Sequence, residues 1–143
     1  MDTTPVIVER TFNVLPSEIW SAITDNSKLQ QWYFRLSEFK PEPGFRFTFT
    51  GGPEDGPQYV HLCEIVEVIP QERISYTWIY EGIPGETLVT VDLTPNERGT
   101  KVTLTHSGIE TIATAGPDFA KSNFNQGWTY FIHTALKNFI EKQ

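Results

Sequence analysis

The stretch from about 121 to 141 constrains the fold most. It contains no proline, and Phe124, Trp128, Phe131, Ala135 and Phe139 recur at intervals of three and four. That spacing gathers them on one broad apolar stripe of a helix. Twenty residues in a helix span roughly 30 Å, enough to cross a whole sheet. So large an aromatic stripe needs an extended apolar surface to cover it.

The residues upstream supply one. Phe45, Phe47 and Phe49 alternate with Arg46, Thr48 and Thr50, the period of a strand with an all-aromatic face. Further strands are expected at about 59–69, 73–80, 87–94 and 100–107. Pro70-Gln71-Glu72, Gly82-Ile83-Pro84-Gly85 and Pro95-Asn96-Glu97-Arg98-Gly99 separate them. Connections this short imply antiparallel neighbours. Within 73–80, Ile74, Tyr76, Trp78 and Tyr80 share one face. Residues 6–14 read as a first strand. Pro16 and Glu18 suit the first turn of a helix carrying Ile19, Ala22 and Ile23. Asp25-Asn26-Ser27 ends that helix and caps a second, with Leu29 and Trp32 on one face. Residues 51–57 and 109–118 read as loops. The expectation is one α+β domain over residues 1–143, with about six or seven antiparallel strands curved around a long C-terminal helix.

Charge and composition exclude several partners. Eleven basic against 18 acidic residues give a net charge of −7, which repels nucleic acid and anionic lipid. The longest apolar run is three residues, for example Val6-Ile7-Val8, far short of the roughly 20 a membrane span needs. No membrane insertion is expected. Met1-Asp2-Thr3-Thr4 does not open a signal peptide. Cys63 is the single cysteine, which fits a reducing, cytoplasmic compartment.

Several local patterns point to a known family. They are Arg10-Thr11-Phe12 with Pro16…Ile19-Trp20, Thr24-Asp25…Leu29…Trp32, and Ile74-Ser75-Tyr76-Thr77-Trp78. Gly99-Thr100…Leu104-Thr105-His106-Ser107-Gly108 and Gly127-Trp128 complete the set. In this order they resemble the START-like (SRPBCC) superfamily, and within it the family of the activator of heat-shock protein 90 ATPase, from about Ile7 to Phe139. The resemblance implies a helix-grip fold with a pocket for a hydrophobic molecule, lipid-like or polyketide-like. It also implies a possible chaperone partner and a link to the stress response. The eukaryotic activators carry a separate N-terminal chaperone-binding domain, for which 143 residues leave no room. Val14-Leu15 stands where the family often has small residues before the helix proline.

The rings nominate the site. Trp32, Phe47, Phe49, Tyr76, Trp78, Trp128 and Phe131 are the expected apolar walls, with Tyr76 and His106 as hydrogen-bonding groups. A pocket of roughly 300–1,000 Å³ is expected between the sheet and residues 124–139, opening near Trp32 or the 51–57 loop. A solid aromatic core is the plainer alternative, and for His106 a satisfied core histidine. Gly127 inside a helix costs about 1 kcal/mol relative to alanine, which close approach of another element or a ligand groove would explain. His61 with Cys63, His106 and His133 lack the dense pairing of a zinc site, and no cofactor is implied. The loop glycines 51, 52 and 56 sit beside Glu54 and Asp55, which oppose a phosphate. Arg35 and Arg46 are candidate carboxylate anchors. Glu64, Glu67, Glu81, Glu86 and Asp92 read as surface solvation. The function expected is non-enzymatic binding of a small hydrophobic or aromatic ligand. The rivals are a chaperone-interacting protein and a cyclase, dehydratase or hydrolase of polyketide-like substrates.

Overall fold

The computed structural model describes residues 3–53 and 55–142. Glu54, one of the two loop carboxylates, and Met1, Asp2 and Gln143 lie outside the described residues. The order is β1 (Val6–Phe12), α1 (Pro16–Thr24), α2 (Asn26–Trp32), β2 (Arg46–Gly51), β3 (Tyr59–Ile69), β4 (Arg73–Tyr80), β5 (Thr87–Asn96) and β6 (Gly99–Ser107). Three short 3₁₀ turns fill 109–119, and the C-terminal helix follows. It consists of α3 (Lys121–Tyr130), a π-helical segment (Phe131–Ala135) and α4 (Leu136–Glu141).

Local chemistry sets the early helices. Pro16 opens α1, and the Glu18 carboxylate accepts the Leu15 backbone N–H at 3.0 Å. Asp25 caps α2 by accepting from the Ser27 backbone N–H at 2.9 Å and its hydroxyl at 2.7 Å. Trp32 Nε1 donates to the Ala22 carbonyl at 2.9 Å and ties the two helices together.

Six strands form one antiparallel sheet in the order β1-β6-β5-β4-β3-β2. A bulge in β3 between Ile65 and Glu67 shifts its register on β4 and leaves Val66 exposed. The inward face of β4, Ile74, Tyr76, Trp78 and Tyr80, is buried throughout. The helices cover that face: α1 packs on β5, β6 and α4, and α2 packs on α4. No helix among the described residues is long and apolar enough to cross a membrane.

The C-terminal helix departs from the expected stripe. Its buried face runs Phe124, Trp128, Ile132, Leu136 and Phe139, while Phe131 and Ala135 are only half-buried. Three successive steps of four overshoot a 3.6-residue turn and would carry the face around an α-helix. The π-helical segment, with its wider i→i+5 turn, takes up the excess and keeps Ile132 and Leu136 on the sheet.

Candidate functional site

Two halves of the interior differ. In one, Ile74, Tyr76, Phe47, Trp32 and Val91 close around a void of only about 30 Å³, room for one water. Here the Tyr33 and Tyr76 hydroxyls pair at 2.9 Å, and burial pushes the pKa of both phenols up.

In the other half the helix and the ends of β2–β4 part around a cavity of about 750 Å³, open to solvent. The sheet contributes His61, Trp78 and Tyr80, and the helix contributes Gly127, Trp128 and Phe131. Phe34 and Gly51-Gly52-Pro53 form part of the rim. A Cβ on Gly51 would stand 2.8 Å from Phe34 Cε1, so the glycine lets that ring close down on β2. A Cβ on Gly127 would meet nothing within 4 Å. No neighbouring element therefore requires this glycine, and it leaves bare helix backbone facing the open space. On the rim the Tyr59 hydroxyl donates to Asp118 Oδ2 at 2.7 Å, which raises the Tyr59 pKa. A second open cavity of about 520 Å³ lies across Tyr130 and Phe131, beside Trp32, Tyr33 and Asn138.

Below the open cavity runs a closed polar relay. Trp128 Nε1 donates to His106 Nδ1 at 3.0 Å. That leaves the proton on Nε2, which donates to Thr87 Oγ1 at 2.8 Å. Thr87 in turn donates to the Trp78 carbonyl at 2.6 Å. Each member has its partners, and burial pushes the His106 imidazole down to about 3.

His61 sits differently. Its ring stacks on Phe49 at 4.3 Å and meets Trp78 edge-on at 4.9 Å. Nδ1 lies 3.0 Å from the Tyr59 carbonyl and 3.3 Å from that of Phe49. Carbonyls only accept, so Nδ1 carries the proton and Nε2 is a bare acceptor. Burial holds this imidazole down to about 4. The Tyr80 hydroxyl accepts from Trp78 Nε1 at 2.9 Å, and burial pushes its phenol up to about 12.

Comparison with known proteins places the chain. The family described as Activator of Hsp90 ATPase homolog 1-like protein matches residues 13–141. The chain belongs to this AHSA1 family. No curated protein matches it significantly. Among solved structures, MLL2253 from Mesorhizobium loti is 28% identical with a TM-score of 0.77, covering 97% of this chain and 98% of that one. CV1439 from Chromobacterium violaceum is 22% identical with a TM-score of 0.80, covering 96% and 97%. DynU16, from the dynemicin biosynthetic locus, is 24% identical with a TM-score of 0.79 over 98% of this chain but 48% of that one. The AHSA1 chain has their helix-grip, START-like fold, an open antiparallel sheet with a long C-terminal helix.

Of the residues nominated from sequence, this AHSA1 chain brings Trp78, Trp128 and Phe131 to the open cavity. Phe47 and Tyr76 border the nearly filled void, and Trp32 borders both that void and the second cavity. Phe49 lines none of these spaces and lies sandwiched between Phe34 and His61. His106 also lines none, and its nitrogens are spent on Trp128 and Thr87. Arg46 is exposed and pairs with Glu64 at 3.0 Å. Arg35 is exposed as well. Among the described residues no cluster of His, Cys, Asp and Glu is arranged to hold a metal. The residues at the open cavity that were not nominated include His61, Tyr80, Phe34, Tyr59 and Asp118. The alternation along β4 had placed Tyr80 on the inward face. Nothing in the aperiodic stretch after α2 marked Phe34.

Proposed function

We propose that this protein binds a small hydrophobic or aromatic molecule, lipid-like or polyketide-like, in the open cavity between sheet and C-terminal helix. One observation carries the reading: a cavity of about 750 Å³ walled by Trp78, Trp128 and Phe131, with Gly127 keeping the helix side clear. Its size lies in the usual range for small-molecule sites. Flat rings suit aromatic walls because stacked and edge contacts are both available.

The test is a titration with the neutral apolar fluorophore N-phenyl-1-naphthylamine, alongside native mass spectrometry of freshly purified protein. Gly127→Phe, which puts a ring into open space, should keep the fold and abolish binding of the probe and of any co-purified molecule. Equal binding by parent and variant overturns the reading. A complex with a heat-shock protein 90 chaperone, unaffected by Gly127→Phe, would put the family's chaperone role ahead. Against that role, the exposed large apolar residues Ile7, Leu15, Val66, Ile69 and Tyr130 are spread over β1, the β1–α1 turn, β3 and α3. Chemical conversion of a bound molecule would instead favour the cyclase or hydrolase reading.

A further inference from the structure

His61 and Tyr80 face each other across the β3–β4 ladder, with ring centroids 4.6 Å apart. Both line the open cavity. Resting on the cavity reading above, we propose that this pair selects ligands carrying a hydroxyl group. The ligand O–H donates to His61 Nε2, and the Tyr80 hydroxyl donates to a ligand oxygen.

Both groups have hydrogen bonds left to make. His61 is 4% exposed, yet its Nε2 has no protein partner. Among the described residues, Asn26 Oδ1 is the sole sealed side-chain polar atom left unpaired. Nε2 is therefore reached from the cavity rather than sealed within the core. Water can meet it while the cavity is empty, but a ligand that fills the cavity displaces that water and loses affinity unless it supplies a donor in its place. Tyr80 is the complement. Its oxygen takes the Trp78 indole proton, and its own proton has no protein acceptor. Tyr59 donates to Asp118, Tyr33 pairs with Tyr76, and Tyr130 stands mostly exposed at the rim.

One face of the cavity thus offers one acceptor and one donor, side by side on rigid strands. The stack on Phe49 and the edge of Trp78 hold the imidazole in place. An alcohol or phenol satisfies both groups. Ethers and ketones give His61 nothing, and a carboxylate would leave it unpaired while meeting Asp118 at the rim. The preferred class is a neutral, flat, hydroxylated aromatic.

The test compares 2-naphthol with 2-methoxynaphthalene, which fills similar space without a donor. Binding of both to the full chain is followed by intrinsic fluorescence and calorimetry. The parent should prefer 2-naphthol by about tenfold, the scale of one or two hydrogen bonds. His61→Phe should shrink that preference by weakening 2-naphthol more than 2-methoxynaphthalene, and Tyr80→Phe, which removes a donor that either ligand oxygen accepts, should weaken both probes. Equal affinity of the parent for the two probes overturns the hydroxyl proposal and leaves the cavity reading standing. No binding of either probe overturns both. A preference that survives in His61→Phe, or a Tyr80→Phe that weakens neither probe, overturns the assignment to this pair. If a variant does not fold, the parent decides: the His61 Nε2 resonance in ¹⁵N spectra should move with 2-naphthol and not with 2-methoxynaphthalene. An unmoved resonance overturns the proposal.

Discussion

The two halves of the interior draw on the same strands and the same residue types, yet one is filled and the other is open. Around Tyr76 the side chains leave about 30 Å³, and around Trp78, two residues along β4, they leave about 750 Å³. The difference comes from what lies opposite. The closed half receives Ile132 and the paired Tyr33, with α1 and α2 packed behind. The open half receives Gly127, which contributes no side chain. Polar groups divide the same way. In the closed half Tyr33 and Tyr76 satisfy one another, whereas at the open cavity, above the fully engaged His106, His61 and Tyr80 keep hydrogen-bonding capacity in reserve. Aromatic content alone therefore does not make a binding site; the partner across the gap decides.

The largest effect should separate the halves by stability. Ile74→Ala, in the closed half, should cost about 2–5 kcal/mol in urea unfolding, because its surroundings are already packed. Phe131→Ala should cost less than half of that, since its ring already borders open space. Equal losses would erase the distinction.

Acid should act next. Burial depresses the imidazoles of His61 to about 4 and of His106 to about 3, so both are neutral in the folded protein at pH 7. The unfolded chain takes up protons below about 6.5 and the folded chain does not. Stability is thus fully present above 6.5 and falls as the pH drops towards 4 and 3. At pH 5 the loss should be about 2 kcal/mol per histidine. Unfolding curves at pH 7.5 and 5 measure the sum, and His61→Phe should remove about half of the difference. A pH-independent midpoint would mean that neither ring is buried neutral.

The smallest effect runs the other way. Gly127→Ala should stabilise by up to about 1 kcal/mol, because the helix gains propensity and the new methyl meets no neighbour. A loss of stability would show that the helix backbone at this point is in contact after all.

Most of the fold was legible in the sequence because two periods carry it. The alternations along β2 and β4 and the short turns between strands are local, and the strands fall where those signals put them, give or take two residues. The resemblance supplied the helix-grip architecture. The cavity was less legible, since it depends on pairs far apart in the chain. Alternation with the buried Val102 and Leu104 turns His106 inward, but its engagement by Trp128, 22 residues away, is a tertiary event. Tyr59 meets Asp118 across 59 residues. Which of two inward rings reaches open space is settled by the helix opposite, and no period within a strand encodes that.

The wide turn at Phe131–Ala135 bears on how such a chain can tolerate changes of length. Insertions and deletions ordinarily belong to surface loops. Here the helix backbone itself holds a spare residue, so losing one between 131 and 135 need not break the helix, which can close into a plain α-turn. Four residues at about 100° each turn the chain about as far as five in the wider turn, so the flanking segments keep their faces. Leu136 and Phe139 would stay on the sheet, and Trp128 and Gly127 would stay at the cavity wall. The helix can thus shed one residue here while its two ends hold their seats.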